Sequence, residues 1–403
     1  MNSSTINFYD LAILREIIPF LRLRLRIILK YLSGQVDFRF DNILIVAPCI
    51  LGDCLSCLPA IEEHYRRSHK PYDIIVSPDF RSLAEHLKGV RRVFVASSSY
   101  NRATERKTGG TTDMPGEYDL IIVLRISPEA FKLIKHVKCR RLISSDGSLL
   151  KYIFRVARNS LIGRPVAQAR EIMFDTLKLS DPSVNGRLPS PFELPDDLVD
   201  GSAQSHVVGG GSRTILVHPG SGWQVKLWSD ERWVELLTKI HSLDHCRFIF
   251  VGRGDSEASA FERIQSRLNF KVYSSINDLN LWELFLLMKR SDGFIGIDSG
   301  PRNLAHYAGI RSVTLLNPAA VNNFMPLDTR DVIVERQNRF PANVVNTKRG
   351  ANLTDITAEE VFEAYKQIRR YMSPAEPVQK RGIPAGLVAS QLRTQGATNV
   401  TFE

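Results

Sequence analysis

Short apolar runs alternate with amphipathic stretches along most of the chain. Five runs in the first half have the length of buried strands. They are residues 43–47, 72–76, 93–96, 118–124 and 141–144. The stretch 54–67 between the first two runs repeats its apolar residues at helical spacing, and further helices are predicted at 81–88 and near 128–136.

The second half repeats this alternation from Thr214 onward. We predict strands at residues 214–218, 247–251, near 272, 294–297 and 312–316. Helices are predicted at 230–242, 257–268, 281–289 and after Pro301, and a capping box from Thr357 to Glu360 opens a last helix that ends near Arg370. Strands that alternate with helices predict an α/β fold with parallel sheets and helices on both faces.

Composition divides the chain into segments. Residues 186–212 are rich in Pro, Gly, Ser and Asp, which is typical of a linker. We therefore predict two Rossmann-like, doubly wound domains that face each other across a cleft. The predicted segments are a basic amphipathic helix (1–38), an N-terminal domain (39–185), the linker (186–212), a C-terminal domain (213–350), a C-terminal helix (351–372) and a disordered tail (373–403).

The net charge of +10 favours an anionic partner. Four basic residues of the N-terminal segment, Arg15, Arg22, Arg26 and Lys30, fall near one helical face. This helix either lies on an anionic membrane surface or packs on the protein with its arginines solvated. No nucleic acid partner is expected, because the basic residues concentrate in this helix instead of in a recognition motif with stacking aromatics.

The sequence also indicates a compartment. Five cysteines, an odd number in a long chain, do not suggest a disulfide framework. No stretch is long and apolar enough to span a bilayer, and the N-terminus lacks a secretory pattern. We therefore expect a cytoplasmic protein.

Asp298, Ser299 and Gly300 form a polar turn between a predicted strand and a predicted helix. Free N–H groups at a helix start, next to a hydroxyl, suit a phosphate. An ordinary strand-to-helix junction is the alternative. Ser221 and Lys226, in the loop after the 214–218 strand, are candidates for a diphosphate cradle; otherwise Lys226 is a solvated loop lysine.

Two further turns contain candidate residues. Gly252 leaves room for a ring or ribose, and Glu257 can accept hydrogen bonds from ribose hydroxyls or simply occupy the first turn of its helix. Asp53 is the acid at the corresponding turn of the first half. It would face the second half as a general base, or it caps its own helix.

Several of these motifs together resemble a known family. The segments ILIVAPCILGDCLSCLPAI, YDLIIVLRIS, TILVHPGSGWQVKLWSDERWVELL, FIFVGRGDSE and GFIGIDSGPRNLAHYAG occur in that order. They are similar to glycosyltransferase family nine, the ADP-heptose:lipopolysaccharide heptosyltransferases. The resemblance implies a GT-B fold and an inverting, metal-independent transfer from a nucleotide diphosphate sugar, which is a substrate and not a cofactor, to a membrane glycolipid.

The resemblance also implies roles for individual residues. It assigns Asp53 as the base that deprotonates the acceptor hydroxyl and Lys226 as the cation that meets the diphosphate. It places the turn from Asp298 to Gly300 at the donor phosphates, and Glu257 is a looser match to the acid that holds the ribose. The sequence contains no D-x-D motif for a divalent metal, so Lys226 and a helix N-terminus would neutralise the leaving group.

The chain departs from the family pattern at the site. Cys49 and Ile50 stand where the family usually has serines, and Asn303 stands where it usually has histidine; His306 lies one helical turn further on. With these departures, the resemblance implies a glycosyltransferase that is peripheral at the inner face of a bacterial plasma membrane and adds heptose or a related sugar to a lipopolysaccharide core or related glycan. It also implies that the N-terminal domain (39–185) takes the acceptor and the C-terminal domain (213–350) takes the nucleotide sugar. The alternatives are a nucleotide-sugar epimerase or hydrolase of the same fold, or a non-catalytic protein that binds sugar nucleotides.

Overall fold

The computed structural model describes residues 40–47, 51–96, 114, 116–124, 133–134, 137–144, 212–221, 226–316, 330–335 and 353–372. The predicted N-terminal helix and the predicted disordered tail lie outside the described residues, as does the predicted linker except for Ser212. The domain boundaries therefore stay predictions. Among the described residues, no helix combines the length and the apolar character that a membrane span requires.

The first half contains a five-stranded parallel sheet in the order β3-β2-β1-β4-β5. Runs of Ile, Leu and Val form its central strands, which are buried as expected for strands covered on both faces. Its elements are β1 (Ile43–Val46), α1 (Leu51–Ser68), β2 (Tyr72–Val76), α2 (Arg81–Ala84), β3 (Val90–Val95), β4 (Glu117–Val123) and β5 (Lys138–Ser144).

The second half contains a six-stranded parallel sheet in the order β11-β10-β9-β6-β7-β8. Its strands are β6 (Thr214–His218), β7 (Arg247–Phe250), β8 (Tyr273–Ser274), β9 (Gly293–Ile297), β10 (Arg311–Leu316) and β11 (Asp331–Glu335). Its helices are α3 (Asp230–Asp244), α4 (Asp255–Gln265), α5 (Leu281–Lys289), α6 (Gly300–Ala308) and α7 (Ala358–Arg369).

The two sheets share one winding pattern. In each, the second and third strands extend to one side of the first strand, and the fourth and fifth extend to the other. This order creates a crevice at the carboxyl ends of the strands where the winding direction reverses, and ligands of doubly wound folds bind there. In the second half the reversal lies between β6 and β9, and in the first half between β1 and β4.

Most predicted elements are confirmed. The predicted strands 72–76 and 214–218 and the predicted helix 281–289 have the observed bounds, and the capping box from Thr357 to Glu360 is present. The helix predicted at 81–88 is shorter, ending at Ala84. Of the helix predicted near 128–136, Leu133 and Ile134 are described and are helical. Strand β11 was not among the predicted elements.

A continuous apolar core joins the two halves. Helix α1 packs against α6, and α2 packs against α5. One cluster of buried side chains contains Cys54, Leu55 and Leu58 from α1 together with Leu304 and Ala305 from α6. The packing between these helices is therefore apolar, as in a domain core, and it involves residues near the start of both helices.

Candidate functional site

The candidate residues of the second half gather at the carboxyl edge of its sheet. His218 ends β6, Gly252 follows β7, and Asp298 follows β9. Strands β6, β7 and β9 are adjacent in the sheet, so their carboxyl ends lie side by side. The site therefore coincides with the reversal of winding between β6 and β9, where a nucleotide is expected in this fold.

Two cations flank the buried Asp298 carboxylate. Lys226 Nζ lies 2.6 Å from Asp298 Oδ2, and Arg302 Nη1 lies 3.6 Å from Asp298 Oδ1. Lys226 also donates to the Asp298 carbonyl oxygen at 3.4 Å. The residue predicted to meet the diphosphate and the turn predicted to hold it are thus in direct contact, 72 positions apart in the sequence.

Ser299 presents a hydroxyl that the helix does not use. Its backbone is extended, at φ −158° and ψ 177°, and it occupies the N-cap position of α6 without a side-chain cap hydrogen bond. Its buried Oγ has no hydrogen-bond partner among the described residues. A buried hydroxyl normally finds a partner, so this one, at a helix N-terminus beside Lys226, suits a ligand oxygen.

Glycines make room for the side chain of Glu257, which is 15% exposed. Arg253 donates its backbone N–H to Glu257 Oε2 at 2.6 Å. A Cβ on Gly252 would lie 1.7 Å from Glu257 Oε2, and a Cβ on Gly220 would lie 2.3 Å from its Cγ. The loop after β7 thus requires glycine to accommodate this carboxylate, and the predicted juxtaposition of Gly252 and Glu257 is observed.

His218 lies on the other side of the Glu257 carboxylate. The imidazole is buried, with Nδ1 2.8 Å from the Val251 carbonyl oxygen and Nε2 4.0 Å from Glu257 Oε1. Since a carbonyl can only accept, Nδ1 carries a proton. Burial raises the pKa of Glu257 above its usual value, although His218 and the Arg253 N–H oppose the rise.

The first half approaches the site through the start of α1. The backbone of Asp53 lies in the first turn of α1, and its side chain is outside what the structure describes. The neighbouring Gly52 carbonyl accepts a hydrogen bond of 3.3 Å from Asn303 Nδ2, in the first turn of α6. The helical turn that carries the predicted base therefore contacts the helix that begins at the turn predicted to bind phosphate.

Ser221 and Gly300 occupy the positions that the sequence predicts. Ser221 lies just beyond β6, and residues 222–225 between it and Lys226 are outside the described residues. Gly300 is the first residue of α6, so the turn ends as the helix begins. The roles of all eight predicted site residues stay predictions, and the structure supplies their positions.

Sequence reasoning missed three residues of this region. The sequence prediction gives no role to His218, Arg302 or Asp331. A signal existed for the latter pair, because Asp331-Val-Ile-Val-Glu335 is an apolar run of strand length between charged residues. Arg302 lies in a predicted helix, and an arginine that is buried there requires a carboxylate partner nearby.

Comparison with known proteins identifies the family. A model of glycosyltransferase family 9 (heptosyltransferase) matches residues 117–353, more than half of the chain. A family 9 structure from Veillonella parvula is 16% identical, with a TM-score of 0.66 and coverage of 84% of this chain and 99% of that one.

Two Escherichia coli structures also share the fold. ADP-heptose LPS heptosyltransferase II is 15% identical with a TM-score of 0.63, covering 82% of this chain and 99% of its own. Heptosyltransferase WaaC with ADP is 15% identical with a TM-score of 0.58, covering 81% and 99%. No curated protein matches the chain. The likeness confirms the predicted GT-B fold, and the match to the family model shows that this chain belongs to glycosyltransferase family 9 and is a glycosyltransferase.

Proposed function

We propose that the protein transfers heptose or a related sugar from an ADP-linked donor to a lipopolysaccharide core or related glycan. The observation that carries this proposal is the contact between Lys226 and Asp298, beside the Ser299 hydroxyl at the start of α6, which has no hydrogen-bond partner among the described residues. This arrangement offers a cation, a hydroxyl and helix N–H groups to a diphosphate. The ADP carried by WaaC supports the choice of nucleotide.

In the proposed reaction Asp53 acts as general base. It takes the proton of an acceptor hydroxyl, whose oxygen attacks the anomeric carbon from the face opposite the diphosphate. A new carbon–oxygen bond forms as the bond from the anomeric carbon to the phosphate oxygen breaks, so the configuration inverts. The hydrogen bond between Asn303 and Gly52 supports this geometry, because it holds the start of α1 against the phosphate turn.

Lys226, Ser299 and the start of α6 would stabilise the charge that develops on the leaving diphosphate. These groups supply the positive charge that a metal provides in other glycosyltransferases. We therefore propose a reaction that needs neither a resident metal nor another cofactor.

Glu257 and the glycines around it would hold the nucleoside. The carboxylate accepts one hydrogen bond from the backbone of Arg253 and retains capacity for others. Ribose hydroxyls are donors of suitable geometry, and Gly252 allows the sugar to approach the backbone closely.

We further propose that the enzyme works at the inner surface of a bacterial plasma membrane. The net charge of +10 and the basic residues between Arg15 and Lys30 favour an anionic lipid surface and a phosphorylated acceptor. Membership of a glycosyltransferase family favours transfer to such an acceptor over the epimerase, hydrolase and non-catalytic alternatives.

The test is calorimetry with ADP, UDP, GDP and CDP, with and without EDTA, on the wild type, Lys226→Ala and Lys289→Ala. Lys289 is an exposed lysine at the end of α5 and serves as the control. We expect ADP to bind best, EDTA to have no effect, and Lys226→Ala alone to weaken ADP binding. Preference for another nucleotide would overturn the ADP donor, and binding of none would overturn the proposed function.

Asp53→Asn separates binding from chemistry. This variant should bind ADP like the wild type and lose sugar transfer, because the amide cannot accept the acceptor's proton. Transfer at the wild-type rate would remove Asp53 from the mechanism. Retention of configuration at the transferred sugar, read by NMR, would contradict the inverting reaction.

A further inference from the structure

Arg302 is an unusual side chain for the interior of this protein. It lies in the first turn of α6 and is 1% exposed. A guanidinium cannot give up its proton, so a buried arginine needs carboxylate partners. Arg302 Nη2 lies 2.5 Å and Nε lies 3.2 Å from Asp331 Oδ2, while Nη1 lies 3.6 Å from Asp298 Oδ1.

Asp331 is fixed from the other side. Its Oδ1 accepts hydrogen bonds from the hydroxyls of Ser312 at 2.9 Å and Thr314 at 2.7 Å. Both hydroxyls lie on β10, which is paired in register with β11. The guanidinium is therefore anchored to the sheet, and this anchorage holds it within reach of Asp298.

Among the described residues, two cations and two carboxylates contact one another in this region. Lys226 and Arg302 are cations, and Asp298 and Asp331 are carboxylates. Lys226 is the more accessible cation, because its side chain is 18% exposed whereas that of Arg302 is fully buried. Lys226 now contacts Asp298, so a diphosphate that recruits this lysine competes with the carboxylate for it.

We propose that Arg302 is a positioning residue that keeps Asp298 neutralised while Lys226 moves from Asp298 to the donor diphosphate. Asp331 holds the guanidinium in place for this exchange. Without Arg302, Lys226 would be the nearest cation to Asp298 among the described residues. Movement of the lysine toward the phosphate would then leave the buried Asp298 carboxylate without a neighbouring positive charge. This inference rests on the proposed function, since it takes Lys226 as the cation that meets the diphosphate.

A purely structural role makes a different prediction. If Arg302 only ties α6 to β11, its loss should loosen the phosphate turn, and a second change at Asp298 should add to the damage. If Arg302 instead frees Lys226, removal of the charge on Asp298 should restore ADP binding to a variant that lacks Arg302. The structural role thus predicts no coupling between positions 302 and 298, whereas the proposed role predicts that the second substitution compensates for the first.

The experiment is calorimetric titration of ADP into the wild type, Arg302→Met, Asp298→Asn and the double variant Arg302→Met/Asp298→Asn. We expect Arg302→Met to weaken ADP binding about tenfold, as for a lost hydrogen bond to a charged group. The double variant should regain most of that loss. Additive losses, or unchanged affinity in Arg302→Met, would overturn the inference.

A second background keeps the test valid if Arg302→Met does not fold. Arg302→Met/Asp331→Leu replaces the buried ion pair with apolar side chains, a change that proteins often tolerate. In this background ADP affinity should also fall, and addition of Asp298→Asn should again restore it. Failure of the wild type to bind any nucleotide would instead refute the proposed function, so the two failures are distinguishable.

Discussion

At the scale of single residues, the packing around Glu257 makes the candidate nucleoside site sensitive to a single methyl group. Gly252 has φ +155°, and a Cβ there would collide with Glu257 Oε2. We predict that Gly252→Ala displaces the carboxylate and weakens ADP binding about tenfold, as for the loss of a hydrogen bond to a charged group. Isothermal calorimetry measures this loss.

Gly254 provides a matched control for that substitution. Its φ of +115° is also unfavourable for alanine, but a Cβ there meets no atom within 4 Å among the described residues. Gly254→Ala therefore carries backbone strain without the collision. Equal loss of ADP affinity in both variants would attribute the effect to backbone strain and contradict the role given to Glu257.

Glu257 should also make stability depend on pH. Because burial raises its pKa in the folded protein, the folded state holds this proton more tightly than the unfolded state. The contribution of Glu257 to the free energy of unfolding should therefore fall as pH rises from its ordinary pKa through the raised one. Glu257→Gln should remove this decline, and urea unfolding across the mildly acidic range measures it.

Glu262→Gln is the control for this pH dependence, because Glu262 is exposed on the same helix. That variant should follow the wild-type profile. If the free energy of unfolding of Glu257→Gln ran parallel to that of the wild type at every pH, the carboxylate at position 257 would not be the group that titrates.

At the scale of elements, the capping box at the start of α7 lies next to a hydrogen bond to the segment that contains Lys226. Thr357 Oγ1 accepts a hydrogen bond from the Glu360 N–H, and Glu360 Oε2 accepts one from the Thr357 N–H. The adjacent Ile356 carbonyl accepts a hydrogen bond of 2.9 Å from Trp228 Nε1, two residues beyond Lys226. The capping box thus also fixes the chain that carries the candidate diphosphate lysine.

We predict that Thr357→Ala lowers the free energy of unfolding by about 1 kcal/mol, the usual value of an N-cap. It should also weaken ADP binding, because the Trp228 anchor loosens. Asn280→Ala removes the capping box of α5 and should cost similar stability without affecting ADP. Urea unfolding and calorimetry report the two effects, and an equal change in ADP affinity for both variants would disprove the link.

The sequence predicts individual strands and helices better than the contacts between them. Strands such as 72–76 are legible because continuous apolar runs between turn residues are local signals. The sequence prediction does not include strand β11. Its central feature, the partnership of Asp331 with Arg302, joins residues 29 positions apart. Site residues on turns can be located in the sequence because turns have characteristic residues. The role of Arg302 cannot be located in this way, because its partner Asp331 comes close only when α6 is folded against β10 and β11.

At the scale of the whole molecule, the two halves meet through apolar and aromatic contacts beside the site. The His86 ring stacks on the Trp282 ring, with centroids 3.8 Å apart and planes 6° from parallel. Arg253 Nη1 lies 3.2 Å from Asp79 Oδ1. These contacts and the shared core of α1 and α6 place the helix that carries the predicted base against the helix that begins at the predicted phosphate turn.

Asn303 is the polar member of this contact closest to the predicted base. Its amide donates to the Gly52 carbonyl, and Gly52 precedes Asp53 in α1. We predict that Asn303→Asp lowers kcat for sugar transfer at least about tenfold with little change in ADP affinity. The carboxylate has nearly the same shape but cannot donate, and it would repel the carbonyl that positions the base. Steady-state kinetics and ADP calorimetry separate the two effects.

Asn303→His completes this test, because a histidine ring N–H can still donate. It also introduces the residue that the family usually has at this position. If the hydrogen bond to Gly52 positions the base, Asn303→His should retain more of the wild-type kcat than Asn303→Asp does. If both variants instead lost ADP binding in parallel with kcat, position 303 would belong to the donor site, and the contact between the halves would not be what aligns Asp53.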